Sequence, residues 1–241
     1  MYTPMRILSV LLFSFLFSPL TQASGPENFD QSRQYLMKIY NNLDKTFYCG
    51  CQMQKVGSSK FIPNWKQCGF EPRKRPELGL KVEWEHIVPV WAFGHKLACW
   101  AKGGQQHCNK VNPRFIAMET DLHNLVPVVG EIYNDRAHFG FGEVDQEKRV
   151  YGKCDLEISY RKRLMEPARG IRGDIARAYF YFSETYDFPL SRLEEAQFER
   201  WNKEDPVDTF ECDMHDKKAR LQGKPNPYVG AHCTNMALLE Y

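Results

Sequence analysis

Eight cysteines in a chain of 241 residues set the first limit on what this sequence can fold into. They are Cys49, Cys51, Cys68, Cys99, Cys108, Cys154, Cys212 and Cys233, and no two form a CxxC pair, which argues against a zinc ribbon or a thioredoxin-type site. A chain of this length buries roughly 70% of its unfolded surface without covalent help, so the cysteines call for another explanation. The N-terminus provides one. Arg6 precedes an apolar run from Ile7 to Phe17, broken only by Ser9 and Ser14, and then Pro19 and Thr21-Gln22-Ala23. That run falls short of the roughly 20 residues a membrane span needs and reads as a secretory signal peptide, cleaved after Ala23. Export places the thiols in oxidising surroundings, where disulfides persist. All eight are therefore expected as structural half-cystines. Proximity in sequence suggests Cys99 with Cys108 and Cys212 with Cys233, and leaves the other four unassigned.

With 43% hydrophobic and 26% charged residues, the remainder is neither a disordered tail nor a coiled coil. No repeat and no Pro/Gly/Ser-rich linker divides it, so residues 24–241 read as a single domain. Helical spacing is clear in four places. Tyr35, Leu36, Ile39, Tyr40 and Leu43 share a face of a helix beginning near Asp30, and Ile175, Tyr179, Phe182 and Tyr186 repeat the pattern after Gly173. Ser191-Arg192-Leu193-Glu194 is a capping box ahead of Phe198 and Trp201. Phe210, Met214 and Leu221 mark a fourth helix, stopped at Gly223. The best strand candidates are Thr46 to Cys51 and Lys81 to Val88. The expected fold is α+β: predominantly helical with a few short strands, stapled by disulfides, and loop-rich from Cys68 to Arg149.

Chemistry concentrates in that central third. Glu85-His86 ends a strand of alternating Val82, Trp84 and Glu83, Glu85. A carboxylate and an imidazole at one strand end can divide metal-assisted hydrolysis, one holding a hard cation and the other taking a proton from water. HExxH is absent, which argues against a zinc protease. A second cluster, Glu119 to Pro127, leads into the polar helix pattern Gly130-Glu131-Ile132-Tyr133-Asn134-Asp135-Arg136. Strand, long connection, strand and polar helix is the order of a ββα-metal site.

The segments EWEHIVP (83–89), WAFGH (91–95), CW..GG...C (99–108), ME.D.HNL.P.VGE (118–131) and DR (135–136) resemble the bacterial endonuclease I family. The likeness continues through EPARGIRGDIARAYFY (166–181) and NPYV (226–229). It implies an exported, non-specific endonuclease with an embedded ββα-metal motif. It also implies Mg²⁺, with Mn²⁺ or Ca²⁺ as alternatives, and DNA as substrate, with RNA as a second one, cut to leave 5′-phosphates in the periplasm or outside the cell. The protein would act as a monomer and, after signal cleavage, without the membrane. By the same resemblance Glu85 is a metal ligand, His86 the general base and Glu119 an acidic residue near the metal and leaving group. Asn124 supports the metal loop or simply serves a turn. His123 is structural.

Two positions depart from the family pattern. The family's second ligand is an Asn where this chain has Tyr133, and Asn134 comes one residue later. On a regular helix that slip turns a side chain by about 100°. Either an irregular first turn brings Asn134 back, the reading favoured here, or Tyr133 and water complete the shell. Gln105 stands where the family commonly has an Arg facing the transition state; Lys102, His107 or Arg136 are candidate substitutes as phosphate-binding cations. Backbone contacts are expected from Arg73-Lys74-Arg75, Arg161-Lys162-Arg163, Arg169 and Arg172, since a formal charge of +2 leaves no broad basic field. The alternative reading is a catalytically weakened member that binds nucleic acid or is structural.

Overall fold

The computed structural model describes residues 25–41, 44–144 and 148–239, with side chains as far as Thr234. The expected leader and Leu43 lie outside them. The chain opens with α1 (Phe29–Ile39), a hairpin of β1 (Met53–Val56) and β2 (Lys60–Pro63), and the short helices α2 (Trp65–Cys68) and α3 (Pro76–Gly79). The middle runs through β3 (Val82–His86), α4 (Val90–Gly94), α5 (Gly104–Val111), α6 (Pro113–Thr120), β4 (Leu125–Val129) and α7 (Gly130–Arg136). After β5 (Gly140–Phe141), β6 (Leu156–Ser159) and β7 (Leu164–Pro167) come four longer helices: α8 (Arg172–Tyr186), α9 (Arg192–Glu204), α10 (Thr209–Gln222) and α11 (Pro227–Leu239). The α+β expectation holds, with the strands in small sheets: β1–β2, β3–β4, and β5–β7–β6 with β5 parallel to β7.

The four periodic segments become helices for the reasons their sequences offer. Asn28 caps α1 by accepting from the Gln31 amide, and Ser191 and Glu194 form the full capping box of α9. Gly223 ends α10 in the left-handed conformation, φ 78°. On α10 the apolar face begins later than its spacing suggests: Met214 is buried, while Phe210 at the first turn stays exposed.

Two expectations are corrected. Thr46 to Cys51 forms a turn, not a strand. Gly50 takes φ +63°, the Thr46 hydroxyl accepts from the Cys51 amide at 3.1 Å, and regular pairing begins only at Met53. Cys49 and Cys51, on either side of Gly50, go to different partners. The segment from Cys68 to Arg149 is not loop-rich but built of short helices and strands. Helices such as α3 and α4, of four and five residues, are too short to show a period. Pro76 and Pro113 start α3 and α6 at the one helix position where a missing N–H costs nothing.

Two apolar clusters flank the β3–β4 ribbon. One holds Trp84, Leu125, Leu36, Met37 and Met214; the other holds Val126, Val128, Ile132, Phe182, Phe198 and Trp201. Covered on both faces, β4 is buried at every position and reads as a continuous apolar run.

The disulfides join Cys99 to Cys108 and Cys212 to Cys233, as sequence proximity suggests, and Cys49 to Cys154 and Cys51 to Cys68. Cys49–Cys154 spans 105 residues, against 9 for Cys99–Cys108. Loop-closure entropy grows with the logarithm of the span, so replacing both cysteines of the long pair by Ala should cost about 2 kcal/mol more than the same change in the short pair. Urea denaturation of the two double variants measures the difference.

Candidate active site

β3 and β4 run antiparallel, with Glu85 opposite Val126 and His86 opposite Leu125. Past His86 the ladder is continued by Asn124, whose carbonyl accepts from Ile87 N at 2.9 Å. Its side-chain amide also makes both bonds to the Val88 backbone, at 2.7 and 3.1 Å. Asn124 thus fixes the chain just beyond the imidazole. α7 follows β4 directly, and Gly130 permits the join: a Cβ there would lie 2.6 Å from the Leu78 carbonyl oxygen. The result is the ββα arrangement expected from the sequence.

His86 is buried, with Phe29 stacked on its ring (centroids 5.4 Å apart, 23° between planes) and Phe93 at 6.3 Å. Nε2 lies 2.7 Å from the Glu119 carbonyl oxygen. A carbonyl only accepts, so Nε2 carries the proton and Nδ1 keeps its lone pair. Burial lowers the pKa to about 4, with Arg136 adding to the effect and the Glu119 bond opposing it, so the ring is neutral at pH 7.

Glu85 is equally enclosed. Its Oε1 accepts from the Arg136 guanidinium and from the Tyr48 hydroxyl, the latter at 3.1 Å. Its Oε2 is buried without a hydrogen-bond partner. Burial raises the Glu85 pKa, while Arg136 and Tyr48 pull it down. Arg136 is itself wholly buried. It donates to the carbonyls of His86 at 2.9 Å and Ile87 at 2.7 Å, and lies over the Phe141 ring at 4.3 Å. It is therefore placed to hold the strand end and is out of reach of a phosphate.

Glu119, at the end of α6, works twice. Its carbonyl holds His86, and its Oε1 accepts from Gln105 Nε2 at 2.6 Å and Asn109 Nδ2 at 3.0 Å. Gln105 and Asn109 are one turn apart on α5, which Cys99–Cys108 ties to the chain before it. That i, i+4 spacing was the available signal for Asn109. Lys102 is exposed on the turn before α5, and His107 is half-buried beside Gly103. His123 points away, its Nε2 2.9 Å from the Lys224 carbonyl oxygen.

A model of the endonuclease I family matches residues 26–233. The chain belongs to the endonuclease I family. It is 38% identical over 238 residues to a periplasmic deoxyribonuclease of Aeromonas hydrophila, covering 97% of this chain and 100% of that one. An endonuclease-1 of Buchnera aphidicola subsp. Acyrthosiphon pisum is 40% identical over 210 residues, 86% of this chain and 82% of that one. An extracellular endonuclease of Pseudomonas fluorescens biotype A is 24% identical over 92% of this chain and 94% of that one.

Against the endonuclease I pattern, α7 is informative. It is a continuous helix from Gly130 to Arg136. Asn134 turns its amide oxygen to Arg75, at 2.7 Å from Nη2. Tyr133 is 45% exposed, and its hydroxyl pKa is raised by burial and by the nearby charges of Glu85 and Glu83. Tyr133 thus stands within electrostatic reach of Glu85. Two further carboxylates of α7, not singled out in the sequence, fasten the Arg73–Arg75 run. Glu131 accepts the backbone N–H groups of Arg73, Lys74 and Arg75 at 3.0, 2.6 and 2.7 Å, and Asp135 takes the Arg73 guanidinium at 2.9 Å. Of the other basic candidates, Arg169 is exposed, while Arg172 is buried against Glu166 at 2.7 Å.

Removing Arg136 would leave the Glu85 carboxylate buried and unpaired. Arg136→Met should cost about 3–5 kcal/mol, and adding Glu85→Gln should restore part of the loss. Urea denaturation of the single and double variants is the check.

Proposed function

We propose that the chain is an exported, divalent-metal-dependent endonuclease that hydrolyses DNA without sequence preference. The observation that carries this reading is the neutral His86, its Nε2 proton committed to Glu119 and its Nδ1 lone pair available, preceded in the strand by Glu85, one of whose buried oxygens lacks a partner. Among the described residues no group of three His, Cys, Asp or Glu could hold a metal ion. Mg²⁺, however, keeps several waters and commonly takes only one or two carboxylates. An unpartnered hard oxygen at Glu85 fits such an ion, with Tyr133 as the second side chain at the site. The ion, when bound, supplies positive charge to the scissile phosphate and the departing oxygen.

The protein's own residues divide the remaining work. His86 Nδ1 takes a proton from the attacking water, and the Glu119 carbonyl keeps the ring oriented and steadies it once charged. The new P–O bond forms on the phosphorus as the bond to the 3′ oxygen breaks, which leaves a 5′-phosphate and a 3′ oxygen that takes its proton from solvent water. Gln105 commits one amide proton to Glu119 and has a second to offer a phosphate oxygen. A neutral amide stabilises developing charge less than a guanidinium, by roughly a few kcal/mol, so turnover should be slower than with Arg at this position. Lys74 and Arg75, held beside α7, and Arg161 supply backbone contacts that carry no sequence information.

Four disulfides and relatives named periplasmic and extracellular support action outside the cytoplasm, after removal of residues 1–23. Among the described residues no helix is long and apolar enough to cross a membrane. The same backbone contacts extend the substrate range to RNA, and the working unit is one chain.

Incubating mature protein with supercoiled plasmid tests the reading. Nicking should require Mg²⁺, stop with EDTA and be lost in His86→Ala. Cleavage that survives either treatment overturns it, and binding without cleavage favours the weakened member suggested by Gln105 and Tyr133. A second experiment separates the two helix positions. Tyr133→Phe should reduce the rate about tenfold or more, whereas Asn134→Ala, which frees only Arg75, should change it by less than about threefold. Plasmid nicking rates of the two variants decide between them, and the reverse order would return the ligand role to Asn134.

A further inference from the structure

The WAFGH segment is part of a surface that the hydrolytic machinery does not use. Trp91, on α4, is 44% exposed and lies parallel to His95, with ring centroids 3.9 Å apart and 3° between planes. The His95 Nδ1 sits 2.6 Å from the Trp91 carbonyl oxygen, which fixes the stack. On another side of Trp91 stands His138, at 5.1 Å. His138 comes two residues after Arg136, and Phe93, in the middle of α4, packs its ring against His86. This surface therefore borders the catalytic strand end.

The rings continue. Phe139 meets His138 and, at 5.8 Å, Tyr160 in the turn between β6 and β7. Arg163 contacts His138 and lies over Phe139 at 5.7 Å. Tyr160 is 47% exposed, with the Arg73 guanidinium 5.1 Å from its ring and bonded to its hydroxyl at 2.6 Å. Residues 73–75 and 91–95, together with 138–139 and 160–163, thus form one shelf of rings, with Lys74 and Arg161 exposed beside it. Half-exposed aromatic rings interleaved with cations suit a strand whose bases are unpaired. Every base offers a flat face to stack, and the phosphates meet the cations. Paired bases in an intact duplex keep those faces covered. Beyond His95 and Trp91 the surface opens into a depression of about 350 Å³, walled by Leu97 and Phe188 and bordered by Lys96 and Arg114.

We propose that this shelf binds unpaired nucleotides of the substrate, with bases stacked on Trp91 and Tyr160 and phosphates on Lys74 and Arg161. The proposal rests on the nuclease reading and adds a preference for single-stranded or frayed segments near the cut. It is tested on the mature chain in EDTA, where no cleavage occurs, by fluorescence anisotropy with three probes of equal length. These are a dT 12-mer, a 12-mer of abasic tetrahydrofuran residues with the same phosphates, and a 12-base-pair duplex. The dT strand should bind about tenfold tighter than the abasic strand for each base stacked. That preference should collapse in Trp91→Leu/Tyr160→Leu and persist in Trp91→Phe/Tyr160→Phe, while affinity for the abasic strand stays within about twofold because the phosphate contacts remain.

Equal binding of dT and abasic strands by the unaltered protein overturns the proposal, as does a preference unchanged in the Leu variant. Loss of abasic binding in the Leu variant together with the Phe variant would show a structural role for the rings and also overturn it. The assay does not depend on catalysis. A protein that fails to nick plasmid yet shows ring-dependent binding refutes the nuclease reading alone, and one that nicks plasmid without any base preference refutes the shelf alone.

Discussion

The buried guanidinium of Arg136 is the contact on which the centre of this molecule depends. It comes from the end of α7 and meets the end of β3, taking the Glu85 carboxylate and the His86 and Ile87 carbonyls at once. Placing a charge where no water reaches it costs several kcal/mol unless its donors are engaged. Two carbonyls, a carboxylate and the face of Phe141 offset that cost, and together they lock helix to strand. The strand-end pair is consequently preset: Glu85 shows one oxygen to the guanidinium and leaves the other unpartnered, and His86 cannot shift without breaking contacts on both sides.

Around that contact, α7 acts as a distributor of charge. Its Glu131 and Asp135 are buried carboxylates, and each gathers part of the Arg73–Arg75 segment, which is remote in sequence. Positive charge therefore sits beside α7 even though the whole chain is close to neutral. A nuclease that reads phosphates rather than bases needs such local polarity more than net charge. The disulfides serve a related purpose. Cys99–Cys108 secures α5, from which Gln105 and Asn109 reach Glu119, and Cys49–Cys154 joins the turn before β1 to the segment leading into β6. In a molecule built of small sheets and short helices, these links replace the rigidity that one large sheet would provide.

Much of the scaffold was legible because its signals are local. The capping box at Ser191 and the apolar spacings of α1 and α8 specify helices through contacts within a few residues. The strand ending in Glu85-His86 shows its alternation directly. At Thr46 to Cys51 β propensity is overridden by the left-handed Gly50, which closes a turn onto Thr46. The short central helices were hidden because four or five residues cannot display a period. Arg136 read as a free cation, since nothing near it in sequence reveals a carboxylate 51 residues earlier in the chain as its partner.

The eight cysteines, the strand-end Glu-His pair and the order strand, strand, helix were determined by the sequence alone, each being a matter of residue identity and spacing. Which cysteines join over 105 residues, that Asn134 meets Arg75, and that segments distant in sequence assemble one aromatic shelf were decided by the tertiary structure. These depend on long-range packing and on how each buried polar group finds a partner. Neither is written in any local stretch of the chain.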